Sequence, residues 1–299
     1  MTPLAYIRGQ FVPKDRAALS VLDWGVSGGV AVSEVLRTFH RRLFRWEDHR
    51  ARLARSLERV GWSCPVSWSE LQQIAQQVIQ SECALGIAEC GLVIFVTPGL
   101  NPSYLSGPSM AESGPTLVVH GFPLDRQTIA QRAREGVDLV VPAQRAIPAS
   151  VLDPSIKSRS RLTWYLADQA ARATLPTAQA LLTSVEGYIT ECSNANFCAV
   201  IAGRIVTCPL ERVLPGVSLQ VTRELASALG IPWEFRDYTL SEVLTTAAEA
   251  FVTGTVASLL PVRTLQGKRM GGEVPGPVTR RLRHAWNELV GGALEGESS

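Results

Sequence analysis

The chain has 299 residues, 46% of them hydrophobic and 19% charged, which is enough apolar material for one large domain or two medium ones. Its formal net charge is +2 with both signs interspersed, so no basic stripe indicates a nucleic-acid-binding protein. The sequence shows no apolar run of about 18 residues, no signal peptide and no Cys-x-x-Cys pair among its six cysteines, and we expect a cytoplasmic protein without a membrane span, a metal site or disulfides.

The first quarter of the chain predicts a hairpin followed by helices. Apolar residues around Gly9 predict a β-hairpin over residues 6–12, and leucines at helical spacing predict an amphipathic helix after Trp46. Ser67 followed by Glu70 has the pattern of a capping box, so we expect another helix to begin there.

Buried strands and connecting segments are predicted next. Residues 92–96 and 117–119 are continuous apolar runs, which are typical of buried strands. The stretch from Pro98 to Pro115 is rich in Gly, Pro and Ser and predicts a flexible loop. Residues 121–125 predict an interdomain linker.

The second half again mixes strands and helices. We expect a strand over residues 137–141, a helix after Lys157 and a hairpin around residues 202–204. Residues 215–216 introduce a further helix, which Gly230 ends. Because strands and helices do not alternate strictly, the pattern favours an α+β fold over a doubly wound sheet.

Lys157 is the first candidate for chemistry. It is one of three lysines in the chain and lies between a strand-like segment and a predicted helix. Desolvation near an apolar pocket favours the neutral amine, which can attack a carbonyl and form a Schiff base. Most lysines are simply solvated, so this position alone does not establish a role.

Two polar segments could bind a ligand. The stretch 190–197 lies between apolar strands, where a carboxylate could pair with a protonated heterocycle nitrogen. Residues 214–218 place backbone amides at a helix N-terminus, which favours an anion, while residues 254–255 and Arg52 offer further donors. Ordinary turn and capping chemistry is the alternative for each segment.

These segments follow the order and spacing of the class IV aminotransferases, which the chain resembles from about Tyr6 to about Leu289. That family contains the branched-chain and D-amino acid aminotransferases and aminodeoxychorismate lyase. Lys157 and Glu191 are 34 positions apart (191 − 157), which matches the family's spacing to within a few residues. The most specific matches are His49-x-x-Arg52-Leu53, Ile156-Lys157-Ser158, Gly187-Tyr188-Ile189-Thr190-Glu191 with Asn196-Phe197, and Leu214-Pro215-Gly216-Val217.

The resemblance implies a role for each matching residue. Lys157 would form the Schiff base with pyridoxal 5'-phosphate and move the proton between Cα and C4′. Glu191 would pair with the pyridine nitrogen, and Asn196 would lie near the phenolic oxygen of the cofactor. The residues implied for the phosphate are Arg52, Val217, Ser218 and Thr255. The residues whose amides are implied for the substrate carboxylate are Val256 and Ala257.

The resemblance also implies an architecture. It predicts the two-domain α+β fold type IV, like that of D-amino acid aminotransferase, with the cofactor in the cleft between the domains. The small N-terminal domain would span residues 1–121 and the large cofactor-binding domain residues 122–299. The family further implies a homodimer that acts on an amino acid and a 2-oxo acid.

Substrate-binding positions depart from the family. The Tyr-x-Arg pair of branched-chain enzymes corresponds to Glu89 and Gly91, and the Arg-x-His trap of D-amino acid enzymes corresponds to Ser103 and Leu105. The tyrosine five residues after the branched-chain lysine is Leu162. Neither substrate pocket is therefore reproduced.

One strand resembles the Glu-x-x-Arg strand of branched-chain enzymes through Glu34 and Arg37. Arg37 either receives a substrate carboxylate or forms an ion pair among the neighbours of Glu34. The first functional hypothesis is a branched-chain-like aminotransferase that uses pyridoxal phosphate. The alternatives are a 4-amino-4-deoxychorismate lyase and a homologue that binds the cofactor without turnover.

Overall fold

The computed structural model describes residues 2–105 and 114–296, and the chain divides into two compact units. The first unit comprises Met1–Leu124 and Ile156–Ser160, and the second comprises Asp125–Ser155 and Arg161–Ser299. The segment that carries Lys157 thus belongs to the first unit, although the predicted boundary after residue 121 assigned it to the second domain. Part of the predicted loop, residues 106–113, lies outside the described residues.

The first unit is built on a six-stranded sheet with the order β2-β1-β6-β5-β3-β4. Its strands are β1 (Leu4–Ile7), β2 (Gln10–Pro13), β3 (Val32–Phe39), β4 (Arg42–Leu43), β5 (Cys90–Thr97) and β6 (Thr116–Pro123). Its helices are α1 (Trp24–Ser27), α2 (Trp46–Arg59) and α3 (Trp68–Cys83). All pairings in this sheet are antiparallel, so side chains directly opposite each other share a face.

The core of the first unit lies between the sheet and the two long helices. Leu92 and Ile94 of β5 pack in one cluster with Leu53 of α2 and Ile74 of α3. The hairpin over residues 6–12 is confirmed by the pairing of β1 with β2, and the predicted helix after Trp46 is confirmed by α2. The capping box is confirmed by its serine: the hydroxyl of Ser67 accepts a hydrogen bond from the backbone N–H of Glu70 at 3.2 Å.

The predicted linker was wrong for residues 121–123. Gly121 pairs with Leu92 and Pro123 pairs with Cys90, so these residues are the end of β6. Gly and Pro suggested a connection, but a proline is tolerated at the end of a strand because the missing N–H interrupts no further pairing. The two compact units divide just afterwards, between Leu124 and Asp125.

On the other face of the first sheet, Arg37, Gly91 and Phe122 form a row across three strands. Gly91 lets the ring of Phe122 lie over the strand, because a Cβ at this position would overlap that ring. Glu34 is three positions from Arg37 on β3, and since successive side chains alternate, these two residues point to opposite faces of the sheet.

The second unit contains a nine-stranded sheet with the order β12-β11-β10-β13-β14-β7-β8-β9, and β15 pairs with β14. A further pairing of β9 with β10 closes six of these strands into a ring. The strands are β7 (Val137–Val140), β8 (Gln179–Thr183), β9 (Ile189–Cys192), β10 (Asn196–Ile201), β11 (Arg204–Thr207), β12 (Trp233–Phe235), β13 (Ala247–Gly254), β14 (Ser258–Leu265) and β15 (Lys268–Arg269).

The helices of the second unit are α4 (Arg126–Glu135), α5 (Leu162–Thr174), α6 (Val217–Ala228), α7 (Leu240–Thr246) and α8 (Pro277–Leu289). The hairpin around residues 202–204 and the helix after residues 215–216 are confirmed by β10, β11 and α6. Across the described ranges, no helix combines the length and the apolar character needed to cross a membrane.

The helix predicted after Lys157 begins only at Leu162, the first residue of α5. Leu162 and Leu166 are 70% and 49% exposed, whereas Ala167 and Ala171 are buried against β7 and β8. The small side chains lie inward because they allow the helix to approach the sheet closely.

Gly91→Ala should lower the free energy of unfolding by about 1–3 kcal/mol, because the new methyl group must displace the Phe122 ring. Urea unfolding of the purified variant measures this difference. Gly272→Ala is the control, since Gly272 is exposed and no atom lies within 4 Å of the place that its new methyl group would occupy. Equal effects of the two substitutions would contradict the close approach of Phe122.

Candidate functional site

Lys157 is held by its backbone within the first unit. Its N–H donates to the hydroxyl of Ser56 on α2 at 3.1 Å, and its C=O accepts from the N–H of Ser33 on β3 at 2.8 Å. Ser56 is completely buried. The backbone of the candidate lysine is therefore fixed from two elements of the same unit.

A buried ion pair lies on the α2 side of the first sheet. Arg52 donates through Nε and Nη2 to the two carboxylate oxygens of Glu34, at 2.9 and 2.6 Å. Nδ1 of His49 lies 3.0 Å from Oε1 of Glu34. Because an ionised carboxylate only accepts hydrogen bonds, the hydrogen of this contact belongs to Nδ1 of His49. All three side chains are almost fully buried.

The electrostatics of this group follow from burial and from charge. Burial opposes ionisation of Glu34, but Arg52 and His49 outweigh it and lower the pKa of the carboxyl group. Burial also lowers the pKa of His49, and the charges of Arg52 and Lys157 add to that effect although Glu34 opposes it. The arrangement therefore keeps Glu34 ionised and His49 neutral at neutral pH, beside the guanidinium of Arg52.

His49, Arg52 and Ser56 recur along α2 at intervals of three and four residues, so they lie on one face of the helix. The sequence motifs assigned Arg52 to the phosphate but gave no role to His49 or Ser56. Their spacing was a signal that could have identified them, because it aligns three polar side chains on a face that the structure buries.

Arg37 is placed apart from this ion pair. It is 1% exposed, its Nε donates to the C=O of Thr38, and its guanidinium lies 4.0 Å from the centre of the Phe39 ring. Glu34 instead pairs with Arg52 and His49. The assignment of Arg37 to a substrate carboxylate stays a prediction, and its burial weighs against it.

Glu89, one of the departures from the branched-chain pattern, has a structural role. Its carboxylate accepts a hydrogen bond from the hydroxyl of Thr38 and another from the backbone N–H of His40, the latter at 2.7 Å. Thr38 in turn accepts the N–H of Cys90 at 2.9 Å. This carboxylate is therefore used to hold the turn between β3 and β4.

In the second unit, Glu191 and Asn196 face each other across β9 and β10. Nδ2 of Asn196 donates to Oε2 of Glu191 at 3.1 Å and to the C=O of Leu214 at 3.0 Å. The N–H of Leu214 donates to the same carboxylate oxygen at 3.2 Å. Asn196 thus orients Glu191, and its expected place near the phenolic oxygen of the cofactor stays a prediction.

The start of α6 lies directly against this pair. A Cβ at Gly216 would overlap Oδ1 of Asn196, so only glycine allows the approach. Gly216 is the N-cap of α6 and supplies no side chain, and no other described side chain caps the helix. The first N–H groups of α6, at Val217 and Ser218, are therefore available to an anion in the way that uncapped helix N-termini favour.

The turn between β13 and β14 carries the remaining candidates, Thr255, Val256 and Ala257. Before it, Gly254 allows a close approach, because a Cβ there would lie 2.7 Å from the C=O of Asn194. After it, Ser258 has φ +59°, a left-handed conformation that is uncommon for a residue with a side chain.

A contact between two buried threonine hydroxyls links this turn to α6. The hydroxyl of Thr253 donates to the C=O of Ser258 at 2.7 Å and lies 3.3 Å from the hydroxyl of Thr222 on α6. Thr222 donates to the C=O of Ser218 at 2.7 Å. The structure thus brings the Glu191–Asn196 pair, the start of α6 and the β13–β14 turn together in the second unit, while Arg37, Arg52 and Lys157 lie in the first.

Comparison with known proteins gives a family match. The family model described as amino-transferase class IV matches residues 31–265. The branched-chain-amino-acid aminotransferase-like protein 1 of Arabidopsis thaliana is 28% identical over 96% of this chain, and the chain spans about half (50%) of that relative's length. The branched-chain-amino-acid aminotransferase of Escherichia coli strain K12 is 28% identical, over 97% of this chain and 94% of the relative.

A solved structure supports the fold. The T.th. branched-chain amino acid aminotransferase, complexed with N-(5'-phosphopyridoxyl)-L-glutamate, superposes with a TM-score of 0.84 at 25% identity. The superposition covers 99% of this chain and 97% of that one. The predicted α+β architecture of fold type IV is confirmed by this similarity.

Glu34→Gln should lower the free energy of unfolding at pH 7 by about 3–5 kcal/mol, because Arg52 would remain buried without its carboxylate. The folded pKa of Glu34 is lowered, so its stabilising effect is present above the ordinary pKa and is lost as the pH falls below about 4.5. The difference between wild type and variant should therefore shrink in acid, as measured by urea unfolding across pH.

Glu47→Gln provides the control for this measurement. Glu47 forms an exposed i,i+3 pair with Arg50 on the same helix, and exposed pairs of this kind contribute little. A Glu34→Gln variant as stable as Glu47→Gln, or a difference that does not depend on pH, would contradict the buried ion pair.

Proposed function

The chain belongs to the class IV aminotransferase family, and we propose that it transfers the amino group of an apolar α-amino acid to a 2-oxo acid with pyridoxal phosphate as its cofactor. One observation carries this proposal. The matched span contains a lysine whose backbone is anchored beside a buried arginine and a carboxylate that a side-chain amide orients. These are the residue types that the reaction requires.

The residues fit the cofactor. The N–H groups of Val217 and Ser218 at an uncapped helix start suit a phosphate, and the carboxylate of Glu191 suits a protonated ring nitrogen. The side-chain amine of Lys157 suits an aldehyde. When bound, pyridoxal phosphate supplies the electron-withdrawing ring that no protein side chain provides.

We propose that Lys157 joins the cofactor covalently and then moves the proton at the substrate Cα. A base that moves this proton must be held within reach of it, because proton transfer depends on geometry first and on pKa second. The anchoring of the Lys157 backbone by Ser56 and Ser33 supports this role.

Glu191 is proposed to keep the ring nitrogen of the cofactor protonated. A carboxylate beside a protonated nitrogen raises the pKa of that nitrogen through opposite charge. Asn196 and the N–H of Leu214 hold the carboxylate in one orientation, so the charge is presented from a fixed position. This makes Asn196 a residue that acts through Glu191.

The phosphate is proposed to bind the N–H groups of Val217 and Ser218, with Thr255 as a further hydroxyl donor. Arg52 is proposed to add a fixed positive charge, since its guanidinium has five donors and its pairing with Glu34 keeps it in place. The amides of Val256 and Ala257 are proposed for the carboxylate of the substrate.

An apolar substrate side chain is supported by two features. The relatives at 28% identity are named for branched-chain amino acids. In this chain the positions of the Tyr-x-Arg pair of branched-chain enzymes are Glu89, which binds Thr38 and the His40 backbone, and Gly91, which Phe122 covers. Neither position offers a positive side chain for a second carboxylate.

Two further properties belong to the proposal, the oligomeric state and the location in the cell. We propose a homodimer, which light scattering of the purified protein would test. We also propose a cytoplasmic location, since all six cysteines lie in the described residues as free thiols.

The first test is the visible absorption spectrum of the protein after reconstitution with pyridoxal phosphate. Wild type should show a visible band that an accepted amino acid bleaches, with L-leucine, L-glutamate, D-alanine and D-glutamate added separately. Lys157→Ala should lose both the band and turnover, whereas Lys268→Ala should keep both, because Lys268 is exposed and donates to the C=O of Leu244. A visible band that none of these amino acids bleaches, or an active Lys157→Ala variant, would overturn the proposal.

Gly216→Ala should weaken binding of pyridoxal phosphate about tenfold, equivalent to about 1.4 kcal/mol, because the methyl group pushes Asn196 away from Glu191. Fluorescence titration of the apoprotein with the cofactor measures this change. Gly272→Ala should bind the cofactor as tightly as wild type. An unchanged affinity of Gly216→Ala would contradict the proposed role of Asn196 and Glu191 in binding the cofactor.

A further inference from the structure

The segment Ile156–Ser160 runs beside β3 as a short antiparallel partner. Val32 forms an isolated bridge with Ser158, and the N–H of Ser33 donates to the C=O of Lys157 at 2.8 Å. The carbonyl side of Lys157 is therefore fixed by its hydrogen bond to β3. Its amide side needs a different partner.

Lys157 lies at the centre of a three-residue turn. The N–H of Ser158 donates to the C=O of Ile156 at 2.7 Å, which is the i+2 to i hydrogen bond of a γ-turn. Such a turn directs the N–H of its central residue away from the segment. That N–H donates to the hydroxyl of Ser56 at 3.1 Å.

The position of Ser56 is itself fixed. Ser56 is completely buried and is four residues after Arg52 and seven after His49, on the same face of α2. Arg52 and His49 both bind the carboxylate of Glu34 on β3. Because these contacts fix the rotation of α2 against β3, they also fix the position of the Ser56 hydroxyl oxygen, which is the acceptor.

We propose that Ser56 is a positioning residue for Lys157: its buried hydroxyl accepts the Lys157 N–H and so fixes the point from which the catalytic amine extends. This inference rests on the proposed function, in which Lys157 moves the proton at the substrate Cα. Ser56 acts through Lys157 and has no contact of its own with the substrate in this scheme. Its loss should therefore slow the proton transfer without weakening amino acid binding.

The chain offers a matched control at Ser81. Ser81 lies on α3 of the same unit, and its hydroxyl also accepts a backbone N–H from a distant strand, that of Leu4 on β1, at 2.9 Å. Ser81→Ala therefore removes the same kind of hydrogen bond from a helix serine without touching the Lys157 segment. Any general effect of losing such a bond should be shared by the two alanine variants.

The first experiment compares Ser56→Ala, Ser56→Thr and Ser81→Ala in steady-state kinetics with the amino acid that bleaches wild type best. Ser56→Ala should lower kcat about 10- to 100-fold, as small displacements of a reacting group do, while KM changes less than about twofold. Ser56→Thr, which keeps the hydroxyl, should recover most of kcat, and Ser81→Ala should retain wild-type kcat. Melting temperatures of all variants separate these effects from loss of folded protein.

The second experiment needs no cofactor. The chain has three lysines, Lys14, Lys157 and Lys268, so trace acetylation of the apoprotein followed by mass spectrometry reports each amine separately. In Ser56→Ala the labelling rate of Lys157 relative to Lys268 should change at least about threefold, since the amine extends from a backbone that is no longer held. In Ser81→Ala the same ratio should equal that of wild type.

Either of two results would overturn the assignment of Ser56: a kcat for Ser56→Ala equal to that of Ser81→Ala, or a Lys157 labelling ratio that does not change. Failure of the proposed function is a separate outcome, in which wild type bleaches with no amino acid. In that case the labelling ratio alone decides whether Ser56 positions Lys157.

Discussion

The ionised carboxylate of Glu34 is the interaction on which the arrangement of the first unit depends. It is buried, and it is compensated by two hydrogen bonds from Arg52 and one from His49. A buried charge costs several kcal/mol unless its partners are held in good geometry. These contacts tolerate little rotation or sliding of α2 against β3, and through Ser56 the same helix face reaches the backbone of Lys157.

The second unit also holds a carboxylate by hydrogen bonds. The carboxylate of Glu191 is oriented by an amide side chain and by a backbone N–H, and Gly216 brings the start of α6 against Asn196. In both units a functional group is thus held by hydrogen bonds: Lys157 through its backbone N–H to Ser56, and Glu191 through Asn196 and the N–H of Leu214. Fixed positions matter for catalysis because preorganised groups need no rearrangement when the reaction occurs.

The sequence predicted those elements whose signal lies in a few adjacent residues. The capping box at Ser67 and the hairpin around Gly203 depend on a few adjacent residues, and both were found from sequence. The partner of Glu34 and the unit to which Lys157 belongs depend on contacts between distant segments, so spacing along the chain did not reveal them. Ordered motifs identified the candidate residues, whereas the contacts of Asn196 required the structure.

Strand alternation explains why Glu34 and Arg37 do not pair, although a Glu-x-x-Arg pattern suggests that they could. Their separation of three places Glu34 toward α2 and Arg37 in the row with Gly91 and Phe122. In that row Gly91 is covered by the ring of Phe122. The carboxylate of the nearby Glu89 accepts a hydrogen bond from the β3–β4 turn. Two positions that match the Tyr-x-Arg pair of branched-chain enzymes therefore serve packing and turn structure in this chain, and neither supplies a positive side chain.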